Sequence, residues 1–287
     1  MGIKVQRTAL GPTLIVALDQ YSDPPVVPDP WAARILPQRW RIPVRLGRSH
    51  AIRRSMIAAT EKSVPGGWAS LLCRKRYIDD AVREAVGRGL DAVVIIGAGY
   101  DTRAYRVPEL AGIPIWEVDL PANVTAKSEG LARCFGRVPP EVGLVAADLE
   151  TDSLMERLTG SGYDLGMTTF FVWESVTMYL PEQLVRRTLR ELSGAVKGSE
   201  LVFTHFRRDF LDGTALHGAD NAYRRFVVRE GLWKFGLNPE DVGSFLAEFG
   251  WQVMEQPGPS AYRERYLVPA GRSEPVSEIE RAVRARR

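Results

Sequence analysis

Acidic residues stand at the ends of four predicted β-strands, where their side chains could bind a polar or cationic ligand. They are Asp101, Asp119, Asp148 and Glu174. In a parallel sheet covered by helices, ligands bind beyond the carboxyl ends of the strands. A single acid at such a position is usually a helix cap, but capping does not require all four acids to meet. We therefore expect the four carboxylates to converge on one crevice.

The segment Gly97-Ala98-Gly99 is predicted to form a tight turn directly after the first of these strands. Glycine permits positive φ and has no Cβ that would collide with a ligand. A dinucleotide-binding motif would have a third glycine where Thr102 stands and would hold a diphosphate at the following helix N-terminus. Asp101 beside that N-terminus would repel a diphosphate. The turn therefore favours a ligand without phosphate, and a NAD(P)-dependent oxidoreductase is the alternative.

S-adenosyl-L-methionine fits this set of acids because it carries a sulfonium and an ammonium group and no phosphate. Asp119 lies 20 residues beyond Gly99, which is the position expected of an acid that binds ribose hydroxyls. Asp148 and Leu149 would face the adenine ring with one polar and one apolar contact. Glu174 would lie near the methionine end of the pocket.

The composition of the chain is that of a globular protein. It has 287 residues, of which 45% are hydrophobic and 25% charged, and a formal net charge of +3. This near balance does not indicate nucleic-acid binding, and no segment has the roughly 20 apolar residues of a membrane helix. Cys73 and Cys134 show no metal-ligand spacing and are too few for a disulfide framework. We expect a cytoplasmic protein with no metal, no nucleic-acid partner and no membrane partner, and a homodimer is left open.

The elements that must position the acids alternate between strand and helix from residue 77 onward. Strands are predicted at 92–97, 114–119, 142–148, 167–174 and 199–206, and helices at 77–89, 122–135, 151–158 and 181–192. This alternation predicts a parallel sheet covered on both faces. Two late strand candidates, 251–256 and 263–270, would form an antiparallel pair, and the basic tail 279–287 is expected to be a solvated helix.

The predicted fold class is therefore α/β, with five parallel strands and a late antiparallel hairpin, the architecture of class I methyltransferases. Other doubly wound folds could accommodate the same elements. We expect a single domain over 1–287. It is divided into a helical N-terminal cap (1–76), a cofactor-binding core (77–206), a helical insertion or lid (207–249) and the terminal strands and helix (250–287). Within the insertion we expect a long, mostly helical stretch over 207–235, followed by a helix with Asn238 as its N-cap.

Several motifs in order resemble the leucine carboxyl methyltransferase family, in the bacterial branch similar to the tetracenomycin polyketide synthesis methyltransferase. They span nearly the whole chain: "TALGPTLIVALDQYSDPPVVPDPWAARIL", "RKRYIDD", "GAGYDTRAYR", "EVDLP", "VAADLETDSL", "WESVTMYL" and "FGLNPEDVGSFLAEFGW". One departure is Ser175 in "WESVTMYL", where the bacterial branch commonly has glycine.

The resemblance implies S-adenosyl-L-methionine as the cofactor and assigns several residues to its pocket. These are Gly97, Asp119, Asp148, Leu149 and Glu174, and Gly99 and Asp101 join them from the turn itself. The resemblance also implies that an arginine of "RKRYIDD", Arg74 or Arg76, binds the cofactor carboxylate. A guanidinium suits this task because it can donate two parallel hydrogen bonds.

The function expected is O-methylation, in secondary metabolism, of a carboxylate on a small polyketide-type acceptor. A carboxylate is already ionised at neutral pH, whereas a phenol would need a base. The candidate bases are His50, His205 and His217, and His205 is preferred because it ends the fifth strand and so points toward the mouth of the crevice. Tyr179 is a further catalytic candidate. The resemblance does not determine the acceptor, because eukaryotic members act on a protein carboxyl terminus. Three alternatives stay open: a phenol methyltransferase, a NAD(P)-dependent oxidoreductase and a non-catalytic cofactor-binding protein.

The acceptor pocket is expected between the N-terminal cap and the insertion before Asn238. Aromatic residues of these segments could line it or simply pack in the core. They are Trp31, Trp40, Trp68, Trp233, Tyr21 and Tyr223. A peptide carboxylate would instead favour basic residues at the mouth, such as Arg207 and Arg208.

Overall fold

A seven-stranded sheet forms the centre of the structure, a computed structural model that describes residues 10–287. The strands are β1 (Ala92–Ile96), β2 (Ile115–Asp119), β3 (Val142–Ala146), β4 (Thr169–Trp173), β5 (Glu200–Phe206), β6 (Gln252–Glu255) and β7 (Glu280–Arg286). Their order is β3-β2-β1-β4-β5-β7-β6. The first five run parallel, whereas β7 is antiparallel to both β5 and β6. The predicted class I methyltransferase architecture is confirmed.

Helices cover both faces of this sheet. They are α1 (Leu10–Asp19), α2 (Ala32–Ile35), α3 (Gln38–Leu46), α4 (His50–Glu61), α5 (Gly67–Gly87), α6 (Arg103–Arg106), α7 (Pro121–Phe135), α8 (Leu154–Thr159), α9 (Glu182–Leu192), α10 (Arg208–Leu211), α11 (Asp220–Ala222), α12 (Val242–Ala247) and α13 (Pro259–Tyr262). Short 3-10 segments occur at Pro108–Leu110, Thr177–Tyr179, Pro239–Asp241 and Val268–Ala270, and π-helical turns at Tyr223–Arg229 and Arg263–Leu267.

Strands β1, β2, β4, β5 and β7 are largely buried because each contributes side chains to two cores, whereas the edge strands β3 and β6 are more exposed. In β1, Val93 and Ile95 pack with the N-terminal helices, α5 and α7. Val94 and Ile96 point to the other face and pack with α8, α9 and α12. A strand covered on both faces has no polar alternation, which is why an unbroken apolar run predicts it correctly.

The N-terminal cap is helical as predicted, but α5 crosses its predicted end at residue 76. The first nine residues of the predicted cap lie outside the described residues. The non-helical segment between α1 and α2 is tied to the core through Asp29. Its Oδ1 accepts hydrogen bonds from the Trp31 and Ala32 amides, both at 3.0 Å, and its Oδ2 accepts one from the Thr102 hydroxyl. The cap is thereby joined to the loop that follows the glycine turn.

Two predictions about the C-terminal region are wrong. Residues 263–270 form helical turns instead of a strand, and most of the basic tail 279–287 is β7 instead of a solvated helix. The tail can enter the sheet because Glu200 on the neighbouring strand β5 neutralises it. The Glu200 carboxylate accepts hydrogen bonds from Arg284 and Arg286, both at 2.8 Å, and also pairs with Arg88.

The insertion is less helical than the sequence indicates. Instead of a long helical stretch over 207–235, it contains α10, α11 and one π-helical segment. Residues with positive φ interrupt it, at Gly213, His217, Gly218 and Gly231. The predicted N-cap residue Asn238 accepts a hydrogen bond from the Asp209 amide at 3.1 Å instead of capping its own helix.

The ion pair of Arg284 with Glu200 gives a test of the β7 assignment. Their side chains are only 5% and 3% exposed, so Glu200→Gln would leave a buried guanidinium poorly compensated. We expect it to lower the free energy of unfolding by about 3 to 5 kcal/mol, measured by urea denaturation. Glu248→Gln, which breaks the exposed pair with Arg186, should cost less than about 1 kcal/mol. Equal losses in the two variants would contradict the burial of the tail.

Candidate active site

One cavity of about 420 Å³ opens at the carboxyl ends of the parallel strands. It brings together most of the residues that the sequence predicts for the site: Arg74, Gly97, Gly99, Asp101, Asp119, Asp148, Leu149, Glu174 and Tyr179. Arg76 and His205 do not line it. The expected convergence of the four strand-end acids is therefore observed.

The glycine turn is held by the acid of the next strand. Gly97 and Gly99 have φ values of 70° and 46°, and the Gly99 amide donates a 2.6 Å hydrogen bond to Asp119 Oδ2. A Cβ on Gly97 would lie 2.2 Å from Cγ2 of Val176. Glycine is thus required at position 97 by the protein itself, before any ligand is considered.

Asp119 keeps capacity for a ligand after these contacts. Its Oδ1 accepts hydrogen bonds from the Leu120 amide at 2.7 Å and from Asn123 Nδ2 at 2.8 Å. A carboxylate can accept about four hydrogen bonds, so the three from Gly99, Leu120 and Asn123 leave room for a further donor. Asp119 is half-buried at the cavity wall, which suits a hydroxyl group of a bound ribose.

Asp101 occupies the place where a dinucleotide would bind its diphosphate. Its Oδ1 accepts a 2.6 Å hydrogen bond from the Arg103 amide at the start of α6, and its Oδ2 pairs with the Arg103 guanidinium at 2.6 Å. Burial alone would raise the pKa of Asp101, but the charges of Arg103 and Lys75 outweigh it and hold the pKa well below its usual range. Asp101 thereby takes the Arg103 amide that a phosphate at this helix start would use.

Glu174 is surrounded by three cations. Arg74 Nε lies 3.0 Å from its Oε1, and Lys75 Nζ and Arg103 Nη2 lie 3.3 Å and 3.4 Å from its Oε2. Burial opposes ionisation, but Lys75, Arg74 and Arg103 together lower the pKa of Glu174 to about 2. Glu174 is therefore ionised at neutral pH, and its charge is already balanced by protein groups.

Glu280, the first residue of β7, completes this end of the cavity and is not predicted from the sequence. Its Oε2 pairs with Nη1 of Arg74, and its Oε1 accepts a 3.0 Å hydrogen bond from the Ser175 hydroxyl. Ser175 has a φ of 56°, in the left-handed region that favours glycine. The sequence around Glu280 gives no sign of a site residue, because the basic tail that contains it has the pattern of a solvent-exposed helix.

Beneath the cavity these groups extend into a buried ionic network. Asp79 pairs with Arg103 at 2.7 Å and with Arg106 at 2.6 Å, and Arg106 also lies 3.5 Å from Asp29. The network contains four cations, Arg74, Lys75, Arg103 and Arg106, and five carboxylates, Asp29, Asp79, Asp101, Glu174 and Glu280. The charges are nearly balanced, as burial requires.

Asp148 and Leu149 form a turn after β3 at the far side of the cavity. Asp148 Oδ1 accepts a hydrogen bond from the Glu150 amide at 2.9 Å, and the Asp148 amide donates to Asp152 at 2.9 Å. Arg187 donates to the Leu149 carbonyl. Both residues are half-buried and line the cavity, as an adenine-binding position requires.

The structure separates the two arginines that the motif "RKRYIDD" offers. Arg74 lines the cavity, whereas Arg76 pairs with Asp80 on its own helix at 3.2 Å. Two residues along an α-helix turn the side chain by about 200°. Arg74 is thus the arginine that can reach a cofactor carboxylate.

His205 is placed differently from the expectation that it points to the mouth of the crevice. Its side chain is fully buried, and its Nδ1 lies 2.8 Å from the Phe206 carbonyl oxygen. Burial lowers the pKa of His205 to about 4, so the ring is neutral near pH 7. His205 does not line the cavity and its ring is enclosed by the protein, so it is not placed to act as a base there, whereas Tyr179 does line the wall.

Within residues 10–287, no group of three or more histidine, cysteine, aspartate or glutamate residues is arranged to hold a metal ion. Cys73 and Cys134 are both free thiols and both buried. No helix in the described part of the chain has the length and hydropathy needed to cross a bilayer.

The groups around the cavity fit S-adenosyl-L-methionine. The carboxylate of Asp119 suits ribose hydroxyls, Leu149 and Val118 offer apolar surface to a base, and Arg74 and Lys75 offer cations to a carboxylate. Glu280 and Glu174 lie beside them for an ammonium group. The sheet order and this pocket define a class I methyltransferase.

Similarity to known proteins identifies the family. The leucine carboxyl methyltransferase family model matches residues 9–193, and the chain belongs to that family. It is 32% identical over 209 residues to a protein of Mycolicibacterium paratuberculosis, covering 69% of this chain and 68% of the relative, whose name includes "S-adenosyl-L-methionine-dependent methyltransferase". A Streptomyces coelicolor protein with the same words in its name is 27% identical, covering 87% and 83%. The family resemblance and the expected cofactor are confirmed.

A solved structure from Thermobifida fusca, whose name includes "methyltransferase", has the same fold. It superposes with a TM-score of 0.62 at 17% identity, covering 82% of this chain and 88% of the other. At this identity the similarity concerns the fold alone.

Removing the Asp119 carboxylate should weaken cofactor binding. Asp119→Ala removes both the ordering of the Gly99 amide and the acceptor for a ribose hydroxyl, and we expect a loss of about 1 to 3 kcal/mol in calorimetric titration. Asp119→Asn keeps one acceptor oxygen and should lose less. Asp212→Ala, at an exposed aspartate, serves as the control. Unchanged affinity in folded Asp119→Ala would remove this residue from the site.

The buried His205 should appear in the pH dependence of stability. Its pKa is 6.5 in the unfolded chain and about 4 in the folded one, so only the unfolded state binds a proton between these values. The free energy of unfolding should fall by up to about 3 kcal/mol as pH drops through this window. His205→Gln should lose this contribution while methyl transfer persists. Loss of transfer in a stable His205→Gln protein would restore His205 as a catalytic candidate.

Proposed function

We propose that the protein transfers a methyl group from S-adenosyl-L-methionine to an oxygen atom of a small apolar acceptor, specifically to a carboxylate. The observation that carries this proposal is the contrast between the two halves of the cavity. Acids and cations line the half beside the glycine turn, whereas the other half has apolar side chains from the N-terminal helices, the segment after β4, the end of β5 and the insertion. An acceptor of the polyketide type, and a role in secondary metabolism, agree with this lining.

The apolar half supports an acceptor with a flat hydrophobic body. Its wall includes Ile15, Leu71, Met178, Phe206 and Trp233. The rings of Phe206 and Trp233 lie edge to face, with centroids 4.5 Å apart. Of the aromatic residues considered from the sequence, the others pack in the cores instead: Tyr21, Trp31, Trp40, Trp68 and Tyr223.

The positions of the histidines favour a carboxylate acceptor over a phenol. None of the three histidines of the chain, all within the described residues, lines the cavity. His50 is exposed at the start of α4, and His217 pairs with Asp209 at 3.3 Å. A carboxylate acceptor is ionised at neutral pH and needs no proton removed.

Capture of a peptide carboxyl terminus is less well supported. Arg207 and Arg208 do not line the cavity. Arg207 pairs with Asp209 at 2.6 Å and Arg208 with Glu182 at 3.3 Å, so both are directed to partners outside the cavity. A NAD(P)-dependent oxidoreductase is less well supported for a different reason: Asp101 already takes the Arg103 amide that a diphosphate would use.

The side chains around the cavity would act mainly by positioning the cofactor and the acceptor. When bound, S-adenosyl-L-methionine would supply a methyl group attached to a positively charged sulfur. A nucleophilic oxygen can take this methyl group directly, and the sulfur then leaves as a neutral thioether. Arg74 and Lys75 would hold the cofactor carboxylate, and Asp119 would hold the ribose. The apolar wall around Phe206 and Trp233 would orient the acceptor and exclude water, which can supply most of the acceleration in such a transfer.

Mass spectrometry of a cell extract incubated with the protein and an isotopically labelled methyl donor identifies the acceptor. We expect label on a carboxylic acid with an apolar body. With the purified acceptor, the rate should be constant between about pH 6 and about pH 8, whereas a phenol would give a rate rising with pH. Cofactor binding without transfer to any acid or phenol would instead identify a non-catalytic protein.

The apolar wall is tested separately by a pair of matched variants. Trp233→Phe should raise the acceptor KM severalfold and leave cofactor affinity unchanged, because Trp233 lies on the acceptor side. Trp40→Phe makes the same change at a half-buried residue outside the cavity and should leave both constants unchanged. Equal effects of the two substitutions would argue against the proposed acceptor wall.

A further inference from the structure

The charge of the chain is unevenly distributed, although its total is close to zero. Residues 30–60 contain seven arginines and no aspartate or glutamate. We call these residues the arginine surface: Arg34, Arg39, Arg41, Arg45, Arg48, Arg53 and Arg54. They lie on and around α3 and α4, which are joined by only three residues, 47–49.

These arginines lack carboxylate partners. None of the seven forms an ion pair with any residue of 10–287, although most arginines elsewhere in that range do. Five of them are exposed, namely Arg34, Arg39, Arg45, Arg48 and Arg54. Burial, together with the nearby charges of Arg133, Arg45 and Arg34, lowers the pKa of Arg41. The surface therefore carries positive charge that the protein itself does not neutralise.

Large aliphatic side chains are exposed between the arginines. Ile42 is 57% exposed, Leu46 51% and Ile52 38%. Ile42 and Leu46 are four residues apart on α3, so they lie on one side of that helix. Helix α4 contains no fully buried residue over its 12 positions. Exposed aliphatic groups among unpaired cations are typical of helices that lie in a membrane interface.

We propose that the arginine surface docks on a membrane that contains anionic phospholipids, with Ile42, Leu46 and Ile52 entering the headgroup region. Lipid phosphates would provide the missing counter-charges, and the acyl boundary would cover the aliphatic groups. A nucleic acid would satisfy the arginines but would leave the aliphatic side chains exposed. The inference goes beyond the proposed function and does not depend on the identity of the methyl acceptor.

This docking differs from the expectation of no membrane partner, which comes from the whole-chain charge and the lack of long apolar segments. Neither the net charge of the whole chain nor a search for long apolar segments reveals a local cluster of cations. Helix α4 leads directly to the cavity, whose wall includes Thr60 and Val64. Docking at α3 and α4 would therefore bring a membrane close to the acceptor side.

Flotation with lipid vesicles tests the proposal on the unmodified protein. The protein should float with vesicles made of equal parts phosphatidylcholine and phosphatidylglycerol, and not with phosphatidylcholine alone. High salt should release it, because docking is electrostatic. Hydrogen exchange should show protection of residues 38–54 when anionic vesicles are added. Absence of flotation, equal flotation with both vesicles, or protection elsewhere only would overturn the proposal.

Charge reversal locates the contact. The triple variant Arg39→Glu, Arg45→Glu, Arg48→Glu should reduce partition into anionic vesicles by about tenfold or more. The control Arg224→Glu, Arg229→Glu, Arg263→Glu makes the same change in net charge at exposed arginines elsewhere and should bind like the unmodified protein. Equal losses in the two triple variants would overturn a local docking surface.

A neutral variant distinguishes a bilayer from other anionic partners. Ile42→Ser with Leu46→Ser leaves the charge unchanged and should also weaken flotation, because it removes the inserted groups. Unchanged flotation of this variant would contradict insertion. Binding of random-sequence double-stranded DNA, or of an acidic protein, without any binding to anionic vesicles would overturn the membrane assignment.

Discussion

The constraint on which the structure depends is that buried charges must be matched by opposite charges. Arg103 is fully buried and pairs with Asp79, Asp101 and Glu174, which belong to three different parts of the chain. An unpaired guanidinium at this depth would be strongly destabilising. The N-terminal segment, the glycine turn and the end of β4 are thus held in one arrangement by the same set of ion pairs, and the cofactor pocket is formed on top of it.

These ion pairs also show that the four strand-end acids have different roles. Their convergence follows from the rule for parallel sheets, but Asp101 and Glu174 serve mainly to balance protein cations. Asp119 and Asp148 are the acids that keep room for a ligand. The cavity is therefore nearly neutral around Arg74 and Glu174 and acidic around Asp119 and Asp148, and this division cannot be deduced from the positions of the acids in the sequence alone.

Most of the core could be predicted because its signals are local. The buried runs of β1 to β5 and the glycines after β1 define the sheet and the place of the site. The incorrect predictions concern elements whose stabilising contacts come from distant parts of the chain. β7 depends on Glu200, which lies 84 residues before Arg284. The sequence of the tail alone therefore shows several arginines without the carboxylate that allows them to be buried. Glu280 cannot be predicted as a site residue for the same reason. The choice between Arg74 and Arg76 depends on which side of α5 faces the cavity, and the sequence does not give this orientation.

The placement of β7 between β5 and β6 also links the cavity to the edge of the sheet. Among the described residues, β6 pairs with β7 alone, and β7 follows it by 24 intervening residues, 256–279. The pairing of β6 with the sheet therefore depends on β7. Because β7 also carries Glu280 to Arg74, a cofactor bound at that end of the cavity would stabilise the paired edge over a frayed one.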